Sequence, residues 1–145
     1  MPKETYLKMP VDVEQEMFAL IKRSYTHAAA EMGEHEFKYI EHKIKNKLAA
    51  GPFAKLDWVG RLFKQYECLY EILRQHKLNK VSLSEKGCRL IGAALFYFIN
   101  PYDVIQDFVE TIGYADDYYV FILCLESLGI KDKKIVKTAL SKIIK

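Results

Sequence analysis

Apolar side chains recur at steps of three and four along almost the entire chain, and this period restricts the possible folds more than any other feature of the sequence. Between residues 11 and 32, Met17, Phe18, Ile21, Tyr25, Ala28, Ala29 and Met32 fall on one stripe, and Gly33 supplies a stop. Phe37, Ile40, Ile44 and Leu48 repeat the spacing, with Lys43, Lys45 and Lys47 around them, until Gly51-Pro52 interrupts the pattern. From Phe53 onward, Leu56, Val59, Phe63, Tyr66, Leu69, Tyr70 and Leu73 mark a long third helix that should fade near residues 77–80. No stretch alternates with period two over a useful length, and no Asn-Gly or Asp-Gly hairpin signal occurs. The sequence therefore predicts an all-α protein.

The second half continues in the same way. Ser82 and Glu85 have the capping-box spacing ahead of the apolar run from Cys88 to Ile99, which predicts the start of a fourth helix. Gly92, Ala93 and Ala94 are small enough to let another helix approach closely, while Gly87 costs that helix about 1 kcal/mol relative to alanine. Asn100-Pro101 resets the chain, since Asn suits an N-cap and Pro the first helical position, and Asp103 then falls where the helix dipole favours an acid. A short fifth helix over about residues 101–110 is expected. Gly113 ends it, and Asp116-Asp117 open a sixth whose stripe is Tyr118, Phe121, Ile122, Leu125 and Leu128. The last segment pairs Ile135/Val136, Ala139/Leu140 and Ile143/Ile144 against Lys133, Lys134, Lys137 and Lys142, a seventh helix.

Six to seven helices without an internal repeat or a long linker predict a single multi-helix bundle spanning residues 1–145. Within it, residues 1–80 form the N-terminal helices, residues 83–128 a helical hairpin, and residues 131–145 a basic amphipathic helix. A chain of this size buries roughly 70% of its unfolded surface and needs no disulfide or structural metal. Cys68, Cys88 and Cys124 are three in number and far apart, with no Cys-x-x-Cys pair, so they read as small apolar residues on helix faces. The longest uncharged run, residues 90–102, is too short for a bilayer span of about 20 residues. The N-terminus lacks the basic start and apolar run of a secretory signal. A cytoplasmic location, with possible attachment to the membrane periphery, is the expectation.

Residues 93–121 carry the one distinctive pattern. Asn100, Pro101, Asp103, Asp107, Gly113, Asp116 and Asp117 stand at fixed spacing between two apolar helices. Over about residues 85–128 the chain resembles the bacterial family catalogued as domain of unknown function 1232, whose pattern runs Ser/Asn-Pro-x-Asp, Pro-Asp, then Gly-x-x-Asp-Asp. Gln106 and Glu110 stand where that family usually has prolines, so two rigid turns are lost. The resemblance implies a small helical hairpin, often in proteins described as membrane-associated, and brings no activity with it.

The four aspartates admit two readings. Asp103 and Asp107, four apart on a helix, repel unless something positive intervenes, and Gly113 can return Asp116 or Asp117 to the same place. Such an oxygen-only cluster suits Mg²⁺, Mn²⁺ or Ca²⁺ and can be structural or hydrolytic. The simpler reading requires no cofactor: Asp103 supports a helix start, Asp116 caps the next helix, and the others accept backbone N–H groups or pair with Arg89 or a lysine. No His-Glu-x-x-His, Glu-x-x-His, Gly-x-Ser-x-Gly or phosphate-cradling loop occurs, and His27, His35, His42 and His76 are scattered. No catalytic residue is assigned.

Residues 131–145 hold six lysines and one aspartate. Lys131, Lys133, Lys134, Lys137 and Lys142 could face an anionic membrane or a partner, or could simply solvate a closing helix. Lys43, Lys45, Lys47, Arg61 and Lys64 suggest phosphate contacts, but Glu41 and Glu67 dilute the field and no nucleic-acid motif is present. Tyr97, Tyr102, Tyr114, Tyr118 and Tyr119 crowd the motif, either as a core with hydroxyls reaching the aspartates or as an exposed patch. These features favour a non-enzymatic interaction module for a partner protein or an anionic membrane. A divalent-metal site at Asp103, Asp107, Asp116 and Asp117 is the alternative.

Overall fold

The computed structural model describes residues 15–99 and 114–143, with side chains from residue 18. Over those residues the chain is a bundle of six α-helices: α1 (Gln15–Glu31), α2 (Glu34–Leu48), α3 (Asp57–Lys77), α4 (Glu85–Ile99), α5 (Ala115–Ser127) and α6 (Ile130–Ile143). A 3₁₀ turn at Gly51–Phe53 joins α2 to α3, and no strand occurs among the described residues. The expected fifth helix over residues 101–110, with Tyr102, lies outside the described residues, as do the chain before Gln15 and the side chain of Met17. No helix among the described residues is long and apolar enough to cross a membrane.

Helix α4 is the hub, packing against α1, α2, α3 and α5, while α6 lies on α3 and α5. Its small residues make this possible. A Cβ at Gly92 would stand 2.6 Å from Phe37 Cε1 and 2.9 Å from Met32 Cε, so any larger residue there would force Phe37 and Met32 to shift. Ala93 and Ala94 are fully buried beside it. The stripes read from the sequence turn inward: Ile21 and Tyr25 of α1, Ile40 and Ile44 of α2, and Tyr66 and Leu69 of α3 join Leu95 and Phe98 of α4 in one core. Each such side chain contributes about 1.5–3 kcal/mol on leaving water.

Local chemistry sets the helix ends. Gly33 N–H donates to Glu36 Oε1 at 2.9 Å, satisfying one of the donors that the start of α2 leaves unpaired. Helix α3 fades where expected. Asn79 takes a left-handed φ of 62°, Asn79 N–H donates to the His76 carbonyl at 3.0 Å, and Lys80 N–H donates to the Gln75 carbonyl at 2.9 Å, a Schellman ending. The start of α4 differs from expectation. Ser84, not Ser82, is the capping serine: its Oγ accepts Gly87 N–H at 2.9 Å. Ser82 lies two residues too early for that geometry. The expected head of the third helix also moves. Pro52 opens the 3₁₀ turn, Ala54 and Leu56 are extended, and α3 begins at Asp57, which leaves Phe53 in the turn and 84% exposed.

Candidate functional site

Of the polar centres inside the bundle among the described residues, the first stands at the N-terminus of α5. Tyr114 is the N-cap of α5 and makes no side-chain cap bond, so Asp116 sits within the first helical turn rather than at the cap. It still performs a capping task. Asp116 Oδ1 accepts the backbone N–H of Asp117 at 2.9 Å, one of the donors a helix start leaves unpaired. Its Oδ2 accepts the Tyr97 hydroxyl, from the end of α4, at 3.0 Å. The Asp117 carbonyl accepts the Tyr66 hydroxyl, from α3, at 2.5 Å. Both aspartates are fully buried, and the positive end of α5 favours carboxylates at this place.

Aromatic rings enclose this end. Tyr66 stacks on Phe98 with centroids 4.2 Å apart and planes 3° from parallel, and Phe63 meets Phe98 and Tyr114 edge-on at 5.1 and 5.4 Å. Lys47 Nζ sits 5.2 Å from the Phe98 centroid and 5.3 Å from that of Tyr114, so this lysine turns inward over two ring faces instead of joining its solvated neighbours. Of the crowded tyrosines, Tyr97 reaches Asp116, Tyr118 meets Trp58 edge-on and Tyr119 tilts against Phe18. Burial, reinforced by the nearby Asp117 charge, pushes the Tyr66 hydroxyl well above its ordinary value.

The second centre uses the Leu90 carbonyl of α4, which accepts the Tyr25 hydroxyl at 2.8 Å and the Cys124 thiol at 3.6 Å. Burial pushes the Cys124 thiol up to about 12, which leaves it un-ionised and a poor nucleophile. Cys68 and Cys88 are half-buried, and burial raises both thiols as well. All three cysteines are free.

Asp103 and Asp107, together with Asn100, Pro101 and Gly113, lie outside the described residues. Among the described residues, no three His, Cys, Asp or Glu side chains converge in a way that could hold a metal ion. His76 Nδ1 accepts Leu83 N–H at 3.0 Å, which ties the end of α3 to the segment that leads into α4.

In α6 the apolar stripe packs inward through Val136 and Leu140, with Ile135 and Ala139 beside them. Lys131, Lys134, Lys137 and Lys142 are exposed and Lys133 is half-buried. One residue of this helix escaped the sequence reading. Asp132 is buried, its Oδ1 accepts Ser84 N–H at 3.0 Å, and its Oδ2 accepts the Ser84 hydroxyl. A signal for it existed, since Asp132, Val136 and Leu140 share one helical face, so the lone acid of the lysine-rich tail lies on the buried stripe. Tyr66 was legible as a stripe residue but not as the donor to Asp117.

Residues 89–123 match the model of the family described as Protein of unknown function (DUF1232), the family that the pattern of asparagine, proline, glycine and aspartates resembles. The match spans most of α4 and the first two turns of α5, the two helices whose meeting point holds the Tyr97–Asp116 hydrogen bond. No curated protein and no solved structure matches the chain.

Proposed function

We propose that this chain is a non-enzymatic helical interaction module that acts in the cytoplasm or at the membrane periphery, its acidic motif serving as architecture and its surface engaging a partner protein or an anionic membrane. The observation carrying this reading is the use of Asp116: a fully buried carboxylate whose two oxygens accept the Asp117 N–H and the Tyr97 hydroxyl. A group committed in that way joins α4 to α5 and is shielded from any substrate.

The test is thermal unfolding of the full chain with and without millimolar Mg²⁺, Mn²⁺ or Ca²⁺. The expected result is no shift of Tm with any metal, and a loss of about 1–2 kcal/mol in Asp116→Ala through the lost hydrogen bonds from Asp117 N–H and from the Tyr97 hydroxyl. A metal-induced rise in Tm that Asp116→Ala abolishes would replace this reading with the divalent-metal site. A gain in stability on removing Asp116 would equally defeat the architectural role, because repulsion retained against stability implies a functional demand.

A further inference from the structure

The turn between α2 and α3 presents the most exposed aromatic ring among the described residues, Phe53 at 84%. Residues 49–54 (Ala-Ala-Gly-Pro-Phe-Ala) carry no charge, and Ala49, Ala50 and Pro52 are exposed alongside it. Four backbone donors of this turn are already satisfied. Ala49 N–H donates to the Lys45 carbonyl at 3.0 Å, Ala50 to Lys47 at 3.2 Å, Phe53 to Ala50 at 3.1 Å and Ala54 to Gly51 at 3.0 Å, and Pro52 has no N–H to satisfy. Such a tip enters a water-poor boundary without stranding those donors, a requirement that lipid imposes and water does not.

A basic collar brackets the tip in the sequence. Residues 43–64 hold Lys43, Lys45, Lys47, Lys55, Arg61 and Lys64 against one acid, Asp57, in a chain whose net charge is only +3. Lys47 turns inward over Phe98 and Tyr114, and the other five cations are exposed. Arg61 and Lys64 share with Asp57 and Glu67 a groove of about 580 Å³ that Pro52 and Ala54 also line. A lone ring flanked by alanine and proline is no stacking platform for successive bases. An apolar tip within a cationic collar instead complements an anionic bilayer surface, the ring at the headgroup boundary and the cations among the phosphates. The C-terminal helix packs Val136 and Leu140 into the core and leaves an aliphatic side chain, Ile130, exposed at its start beside Lys131, but among the described residues it offers no aromatic ring to seat at the headgroup boundary.

We propose that the Gly51–Phe53 turn is an interfacial anchor that seats the protein on an anionic membrane, Phe53 entering the headgroup boundary and Lys45, Arg61 and Lys64 meeting the lipid phosphates. This rests on the interaction-module reading and specifies its partner. The full chain is floated with phosphatidylcholine vesicles with and without about a third phosphatidylserine. Binding is expected only with the anionic lipid, and Phe53→Ser should weaken it about tenfold without lowering Tm, since the ring lies outside the core. Lys45→Glu with Lys64→Glu should abolish it. In a Trp58→Phe background, Phe53→Trp should shift its emission to the blue on adding anionic vesicles.

Absence of flotation, or flotation indifferent to Phe53→Ser, overturns the anchor. Flotation that survives Phe53→Ser but is lost in Lys131→Glu with Lys134→Glu moves the contact to α6, so the anchor falls while the interaction module stands. Phe53-dependent binding to a single-stranded oligonucleotide without flotation also overturns the anchor and makes nucleic acid the partner.

Discussion

Two glycines within helices should respond to alanine in opposite directions. At Gly60 of α3 nothing lies within 4 Å of where a Cβ would stand, so Gly60→Ala should stabilise by about 0.5–1 kcal/mol through helix propensity alone. At Gly87 of α4 a Cβ would overlap the Asp132 carboxylate, so Gly87→Ala should cost about 2 kcal/mol net despite the same propensity gain. Urea midpoints at unchanged slope read both effects. A stabilised Gly87→Ala would mean that Asp132 does not sit there. Cys124 makes a prediction in pH. Its thiol ordinarily ionises near 9.0, and burial raises it to about 12 in the fold. Above 9 the unfolded chain loses a proton that the native state keeps, so this contribution is complete below 9 and drains away as pH climbs toward 12. Tyr25 and Tyr66, raised from 10.0 chiefly by burial, act in the same sense at the upper end. The urea midpoint of the wild type should therefore fall from about pH 9 upward, and Cys124→Ala should flatten the lower part of that fall. A midpoint that is level across this range would contradict the buried thiol.

At the scale of elements, the decisive contacts join helix ends. Asp132 ties the first turn of α6 to the first turn of α4 by accepting both polar hydrogens of Ser84, while Ser84 Oγ accepts Gly87 N–H. Gly87 has no side chain because the carboxylate occupies that space, which accounts for a glycine that helix propensity alone disfavours. Asp132→Ala should cost about 2 kcal/mol by stranding two donors. Amide exchange should quicken at Ser84 and in α6 before the rest of the bundle, and Asp132→Asn should recover part of the loss. Uniform exchange across all helices would show that α6 is held by its stripe alone. The surface ion pairs are a lesser matter. Lys38–Glu34, Arg74–Glu71 and Arg89–Glu85 lie within single helices, Lys77–Glu41 joins α3 to α2, and all are substantially exposed, so solvent screens them and they add little to stability.

At the scale of the whole molecule, α4 touches four other helices, so loosening it exposes the faces of all of them. Unfolding should be a single transition with a calorimetric enthalpy of about 100 kcal/mol equal to the van 't Hoff value, and a calorimetric value well above the van 't Hoff one would reveal separable parts. Much of this bundle is legible in the chain because helical period, stops and caps are written within a few residues of one another. The stripes of Ile21 and Tyr25 or Ile40 and Ile44, the stop at Gly33, the fading after Lys77 and the close approach at Gly92 all follow from residue type and spacing. Other features depend on which helices become neighbours. Ser84 and Asp132 are 48 residues apart and Tyr66 and Asp117 are 51 apart, so no local pattern could pair them. Packing likewise turned Lys47 inward and left Phe53 outside, though both stood in stretches whose helical spacing said otherwise. The sequence by itself determined helices and their buried faces, because amphipathic period is a local property. Only the tertiary structure decided which carboxylates tie the fold together and which ring remains for a partner, because those outcomes depend on neighbours that adjacent residues do not specify.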